Sequence, residues 1–220
     1  MPIKVIQGII LIGEKIMEVE QVMDQYRKLI SDLDSRCAEL RAKYKPTFPC
    51  GVECCLCCLN TSTLFISAVE ALYLREGVEK LPKEIQNAIF EQARRASRRL
   101  LEMGHPAEEL TRKEAIGLLR GRSEGICPFL IGGVCTCYEH RPIICRSWGY
   151  PMNTGDEVVL CEKIFSKEEI DRADSIDYSY YWGEAQRLSR LLGFERSYPM
   201  CYMVLKLCYL PLRRAVKLSR

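Results

Sequence analysis

Histidine is nearly missing from this chain: only His105 and His140 occur in 220 residues. A Ser-His-Asp hydrolase set has almost nothing to work with, and a metal site would have to draw on thiolates. No run approaches the ~20 apolar residues of a membrane span. The start, Met-Pro-Ile-Lys4 followed by a short apolar run, has no small-x-small cleavage site, so no secretory leader is expected. No glycine-rich loop follows a strand in the pattern that binds dinucleotides or phosphates. Charge of one sign is also lacking. Lys and Arg number 32 against 29 Asp and Glu, a net charge of +3, which gives no global case for nucleic-acid binding. The basic end, Leu212 to Arg220, reads as a solvated helix end, with a membrane or nucleic-acid contact as the alternative.

Cysteine is abundant. Thirteen are present, and nine of them crowd into two short segments. The first runs Cys50-Gly-Val-Glu-Cys54-Cys55-Leu-Cys57-Cys58, and the second holds Cys127, Cys135, Cys137 and Cys145. A chain of 25.3 kDa with 48% hydrophobic and 28% charged residues buries a normal core and needs no disulfides to fold. The odd count argues against complete internal pairing. A cytoplasmic address is expected, and in a reducing compartment clustered thiols read as metal ligands or redox groups. Thiolate is a soft ligand that selects zinc and iron–sulfur clusters over magnesium or calcium. The expected ligands are Cys50, Cys54, Cys57, Cys58, Cys127, Cys135 and Cys145. On a helical wheel Cys55 points away from the other cysteines of the first segment. Cys135 and Cys137 share one side of a strand. Cys37, Cys201 and Cys208 read as buried or free thiols, and Cys161 is open either way. Four thiolates on zinc or on a [4Fe–4S] core leave a charge of about −2. His140, Arg141 and Arg146, beside the ligands, are the candidates to offset it, Arg146 foremost.

The predicted fold is mainly α with a small irregular cysteine-rich β-hairpin. Apolar positions from Ile9 through Ile16, Met23, Ile30 and Cys37 to Tyr44 step by 3 and 4, so a single heptad-patterned helix is expected over 5–45. It either packs on its own domain or offers a seam to a protein partner or homodimer. Pro46 and Pro49 end it. Thr61-Ser62-Thr63 is a plausible cap for a helix over 64–75, Leu81-Pro82 opens another to about 104, and Thr111 caps a short one to 119. Gly132-Gly133, between 126–131 and 134–138, is a two-residue hairpin signal, and strand character is expected only there. Ser166 caps a further helix, 178–192 forms another, and Pro211 interrupts the last. The expected organisation is 1–46 as the long helix, 47–165 as the cysteine-cluster domain and 166–220 as helices packed on it.

The segments Cys127-Pro128-Phe129-Leu130, Cys135-Thr136-Cys137-Tyr138 and Arg141-Pro142-Ile143-Ile144-Cys145-Arg146 resemble the CxxCxxCC family, described as zinc- or iron-chelating proteins. In the early half Cys54, Cys57 and Cys58 match the last three cysteines of that pattern. The first falls on Gly51, with Cys50 one residue earlier. The resemblance covers about 50–150. It implies metal binding and, for most members, no defined reaction. Flagellin lysine N-methylases are similar in carrying a related cysteine-rich region thought to hold an iron–sulfur cluster. The expectation is therefore a metal-binding protein with an iron–sulfur cluster, [4Fe–4S] by cysteine count, or zinc. Protein-lysine methyl transfer and a zinc-stapled interaction module are the alternatives.

Overall fold

A computed structural model describes residues 4–6, 9–12, 15–44, 54–106, 109–111, 114, 118–119, 121–161, 164 and 172–209, with side chains from 19 to 206. The chain is mainly α. The long helix α1 spans Val19–Tyr44. Its start corrects the expected boundary: residues 4–18 are strands β1 (Lys4–Ile6), β2 (Ile9–Ile12) and β3 (Lys15–Glu18), antiparallel in that order. The 3–4 spacing of the apolar residues runs straight through this stretch, which is why it read as helix. The competing signal is local. The segment is rich in β-branched isoleucine, which favours strands, and the strands pair in the registers Ile6↔Ile9 and Ile12↔Lys15.

From Met23 onward the heptad seam is real, and the protein's own core takes it up. Met23, Tyr26, Ile30, Leu33, Cys37 and Leu40 are all buried, joined by Val22 and Leu29, while Asp24, Lys28, Asp32 and Glu39 face outward. α1 packs against α2 (Ala68–Val78), α4 (Ile143–Ser147) and α5 (Tyr178–Leu191). α3 (Lys83–Glu102) lies against α6 (Met200–Met203), which continues as a π-turn over Val204–Tyr209. The buried residues of α1, α2, α3, α5 and α6 form one contiguous core, so the expected first and third segments are built into the same body as the middle one.

Helix starts follow their caps. α2 begins at Ser67, with β4 (Phe65–Ile66) ahead of it, so the Thr61 to Thr63 cap is not used. Glu70 and Ser67 form the capping box instead, the reciprocal pairing that satisfies donors at a helix start. Asp177 caps α5 by accepting from the Tyr180 amide at 3.0 Å. Strands outside the second cysteine segment are short: β7 (Met152–Asn153), β8 (Val158–Val159) and β9 (Ile176–Asp177) form one sheet, and β10 (Tyr198–Pro199) pairs with β4. The helix expected after Ser166 and the segment around Pro211 lie outside the described residues, as does most of the helix after Thr111.

Candidate metal centre

The second cysteine segment turns where the glycines require it. β5 (Leu130–Ile131) and β6 (Val134–Cys135) pair as Leu130↔Cys135 and Ile131↔Val134. Gly132 and Gly133 have φ of 60° and 82°, the double left-handed conformation that matches the twist of a two-residue hairpin. The hairpin is shorter than expected, and Cys137 falls beyond it, at the start of a 3₁₀ turn over Tyr138–His140. Pro142 then opens α4, which carries Cys145. The buried Glu70 side chain reaches across from α2 and accepts from the Ile143 amide at 3.0 Å, tying the start of α4 to α2.

The first cysteine segment is not an α-helix. Cys57–Asn60 is a single 3₁₀ turn, and Cys54 and Cys55 precede it without regular structure. The 100° wheel that turned Cys55 away therefore does not apply. Two backbone bonds join this segment to the second one: the Cys127 amide donates to the Cys58 carbonyl at 2.7 Å, and the Ser62 amide to the Gly125 carbonyl at 3.0 Å. A third segment is pinned alongside by the amides of Met200 and Cys201, which donate to the carbonyls of Leu64 (2.7 Å) and Ser62 (2.9 Å).

The result is one cavity of about 60 Å³ lined by Cys54, Cys55, Cys57, Cys58, Cys127, Cys135, Cys137 and Cys145. Thr61, Phe129, Tyr138, Arg141, Trp148 and Met200 complete its wall. Six of the seven expected ligands are brought together, and Cys50 lies outside the described residues. Cys55, Cys137 and Met200 were not anticipated. The C-x-C spacing and the vicinal pair carried the signal for the two cysteines, whereas nothing in sequence marks Met200, whose Sδ lies 3.9 Å from the Cys127 Sγ. Cys37, Cys161 and Cys201 do not line the cavity. Cys37 sits on the buried face of α1 and Cys201 in the core, where burial pushes their thiols up to about 12 and about 11.

The cysteines of the cavity act on one another. The Cys57 and Cys58 Sγ atoms are 4.0 Å apart. The hydrogen bond with Cys58, then burial, pushes the Cys57 thiol up. The Cys58 thiol is pushed up to about 12, first by its hydrogen bond with Cys127, with burial and Cys135 adding. Burial raises Cys145 well above the ordinary range, with Cys57, Cys58 and Cys135 adding and Arg141 opposing. Burial raises Cys135 and takes Cys137 to about 12. A set of thiols crowded together in low dielectric resists ionising unless a cation arrives, and a metal ion would supply that cation.

The two arginines separate. Arg141 lines the cavity. Its guanidinium stacks on the Tyr138 ring at 3.4 Å and its Nε donates to the Tyr138 carbonyl at 2.7 Å. Arg146 does not line it. Its side chain is 3% exposed, its Nη1 contacts both Asp34 carboxylate oxygens at 2.6 and 2.8 Å, and its other nitrogens donate to the carbonyls of Arg141 (2.9 Å) and Glu139. Arg146 is a clamp between α1 and the segment that leads into α4. His140 likewise stays outside, packed on Tyr73 with ring centroids 4.8 Å apart.

Among the described residues no three acidic, histidine or cysteine side chains already stand in a metal-coordinating arrangement. The donor set nevertheless fits a thiophilic metal: eight thiols face one cavity, no carboxylate lines it, and a cationic arginine sits at its edge. The volume equals about four to six water-sized spaces, taking ~10–15 Å³ for each. No family model, curated protein or solved structure matches the chain.

Proposed function

We propose that this protein holds a thiolate-bound metal centre, an iron–sulfur cluster of the [4Fe–4S] type, in the cavity between its two cysteine segments. The observation that carries this reading is the convergence of eight cysteines from two distant parts of the chain on one small cavity. One zinc ion takes four thiolates, and the surplus favours a cluster. Cys57, Cys58, Cys127, Cys135 and Cys145 are the leading ligands, because they form the electrostatically coupled group, and Cys54, Cys55 and Cys137 are within the same wall. Arg141 offsets the charge that the ligands acquire. The cluster would supply one-electron chemistry. The protein's part is to hold the sulfurs, restrict water and set the local field. A reducing compartment such as the cytoplasm suits free thiols. No helix among the described residues is long and apolar enough to cross a membrane.

Zinc is the second reading, and one distance favours it. A ZnS₄ tetrahedron with Zn–S of ~2.3 Å has edges of ~3.8 Å, and the Cys57–Cys58 sulfur pair stands at 4.0 Å. The deciding experiment is metal and acid-labile sulfide analysis on protein purified without oxygen. Iron with matching sulfide, and absorbance near 400 nm that dithionite bleaches, supports the cluster. Stoichiometric zinc without sulfide replaces it with a structural staple. Neither metal at stoichiometric level overturns the metal-centre reading.

A further inference from the structure

A second cavity lies beside the cysteine site, a groove of about 490 Å³. One wall is α1, with Ala38, Arg41 and Ala42; the opposite wall is the Tyr138 to Tyr150 segment. Tyr138, Arg141 and Trp148 line both this groove and the cysteine cavity, so the two spaces share a partition. The small side chains of α1 leave the room, and aromatic side chains from the other wall face it. The volume lies within the ~300–1,000 Å³ range of small-molecule sites.

The charge of the groove is unevenly committed. Three arginines line it against the carboxylates of Asp34 and Glu139. Asp34 is engaged by Arg146, which is also bound to two carbonyls. Arg41 hydrogen-bonds the Tyr150 side chain and stands on the α1 wall. Arg141 is held rigidly by the Tyr138 ring and by the Nε bond, and its terminal nitrogens have no protein partner among the described residues. A guanidinium fork fixed in place with its outer N–H groups unengaged is built for a planar oxyanion, which accepts two parallel hydrogen bonds from it.

We propose that this groove binds a small organic anion, a carboxylate or phosphate ester with a flat apolar body, beside the metal centre. The acid group sits between Arg41 and Arg141, and the body lies against Trp148 and Tyr150. The site does not need the metal reading: its residues and its space exist whichever metal the cysteines take.

The test is isothermal titration of the protein as purified without oxygen, using benzoate and phenyl phosphate as probes and benzyl alcohol as the neutral control. Saturable binding of at least one anion at one per chain is expected, with benzyl alcohol at least tenfold weaker. Arg41→Gln should weaken the anion at least tenfold while leaving metal content unchanged, since Arg41 does not line the cysteine cavity. Arg141→Gln should weaken it by at least as much. Ala38→Phe, on the exposed side of α1, should block both probes by filling the groove while the protein keeps its melting temperature. The proposal is overturned by equal binding of the neutral control, by anion affinity unchanged in both arginine variants, or by no saturable heat up to about 10 mM probe, where a site worth ~4 kcal/mol would already show. Metal content measured on the same samples reports separately on the cysteine centre.

Discussion

Glu70→Ala should both destabilise the protein and empty the proposed metal centre. Glu70 is fully buried. One carboxylate oxygen accepts from the Ser67 amide and hydroxyl, each at 2.7 Å, and the other from the Ile143 amide at 3.0 Å. The side chain thus closes the start of α2 and holds the start of α4, two residues before Cys145. Alanine leaves these donors without their acceptor. A buried unsatisfied donor costs about 1–3 kcal/mol, and the three are too close to add fully, so a loss of about 3–5 kcal/mol is expected. For a chain of this size each kcal/mol lowers the melting point by about 2–4 °C, which places the shift between about 6 and 20 °C. Glu70→Gln keeps an acceptor and the shape but sets an NH₂ group against an N–H, and should cost about 1–2 kcal/mol. The assay is thermal unfolding by circular dichroism, with metal per folded chain measured on the same preparations. Metal content should fall in the alanine variant even at a temperature where it is folded, because α4 no longer fixes Cys145. A melting shift under 2 °C in Glu70→Ala would refute the reasoning, and so would a large shift with full metal loading.

Cys127→Ser and Cys145→Ser should each lower metal content by at least half, whereas Cys37→Ser and Cys201→Ser should leave it unchanged; elemental analysis decides, and equal loading in all four sinks the ligand assignment. Arg146→Met should cost about 3–5 kcal/mol in urea unfolding, because the Asp34 carboxylate and the carbonyls of Arg141 and Glu139 lose a buried cation. Asp34, about half exposed, regains water when its partner goes, so the lower end is expected. Metal affinity should rise with pH between about 6 and 8, since the Cys58, Cys137 and Cys145 thiols are held protonated above their ordinary range and must ionise to bind. Titrations in buffers of different ionisation enthalpy should show proton release, and a pH-independent affinity would contradict the crowded-thiol picture. Gly133→Ala should destabilise the hairpin by about 1–2 kcal/mol, because φ of 82° is costly for any residue with a Cβ, although no atom stands within 4 Å of the added carbon.

Much of the site was legible because its signals are local. Two glycines between strand-forming residues specify the hairpin whatever surrounds it, and closely spaced cysteines cannot be far apart in any fold. The helical wheel failed for Cys55 because Cys54 and Cys55 take no regular structure and the segment turns only afterwards, as a short 3₁₀ helix over Cys57–Asn60. The expected helix over 5–18 failed because isoleucine spacing fits either period, and β-branched residues favour strands. The role of Arg146 was misread for a different reason. Adjacency to Cys145 in sequence says nothing of direction, and successive residues of a helix point about 100° apart.

By itself the sequence determined the helix-rich class, the seam of α1 from Met23 to Leu40, the hairpin turn and the concentration of soft ligands, all of which follow from spacing within a dozen residues. Only the tertiary structure decided that the seam is filled by the protein's own helices, that both cysteine segments face one cavity, that Met200 closes its wall, and that Arg141 lines that cavity while Arg146 faces Asp34. Those outcomes depend on long-range backbone bonds, such as Cys127 to Cys58 and Met200 to Leu64, which form between segments whose separation along the chain leaves no periodic trace.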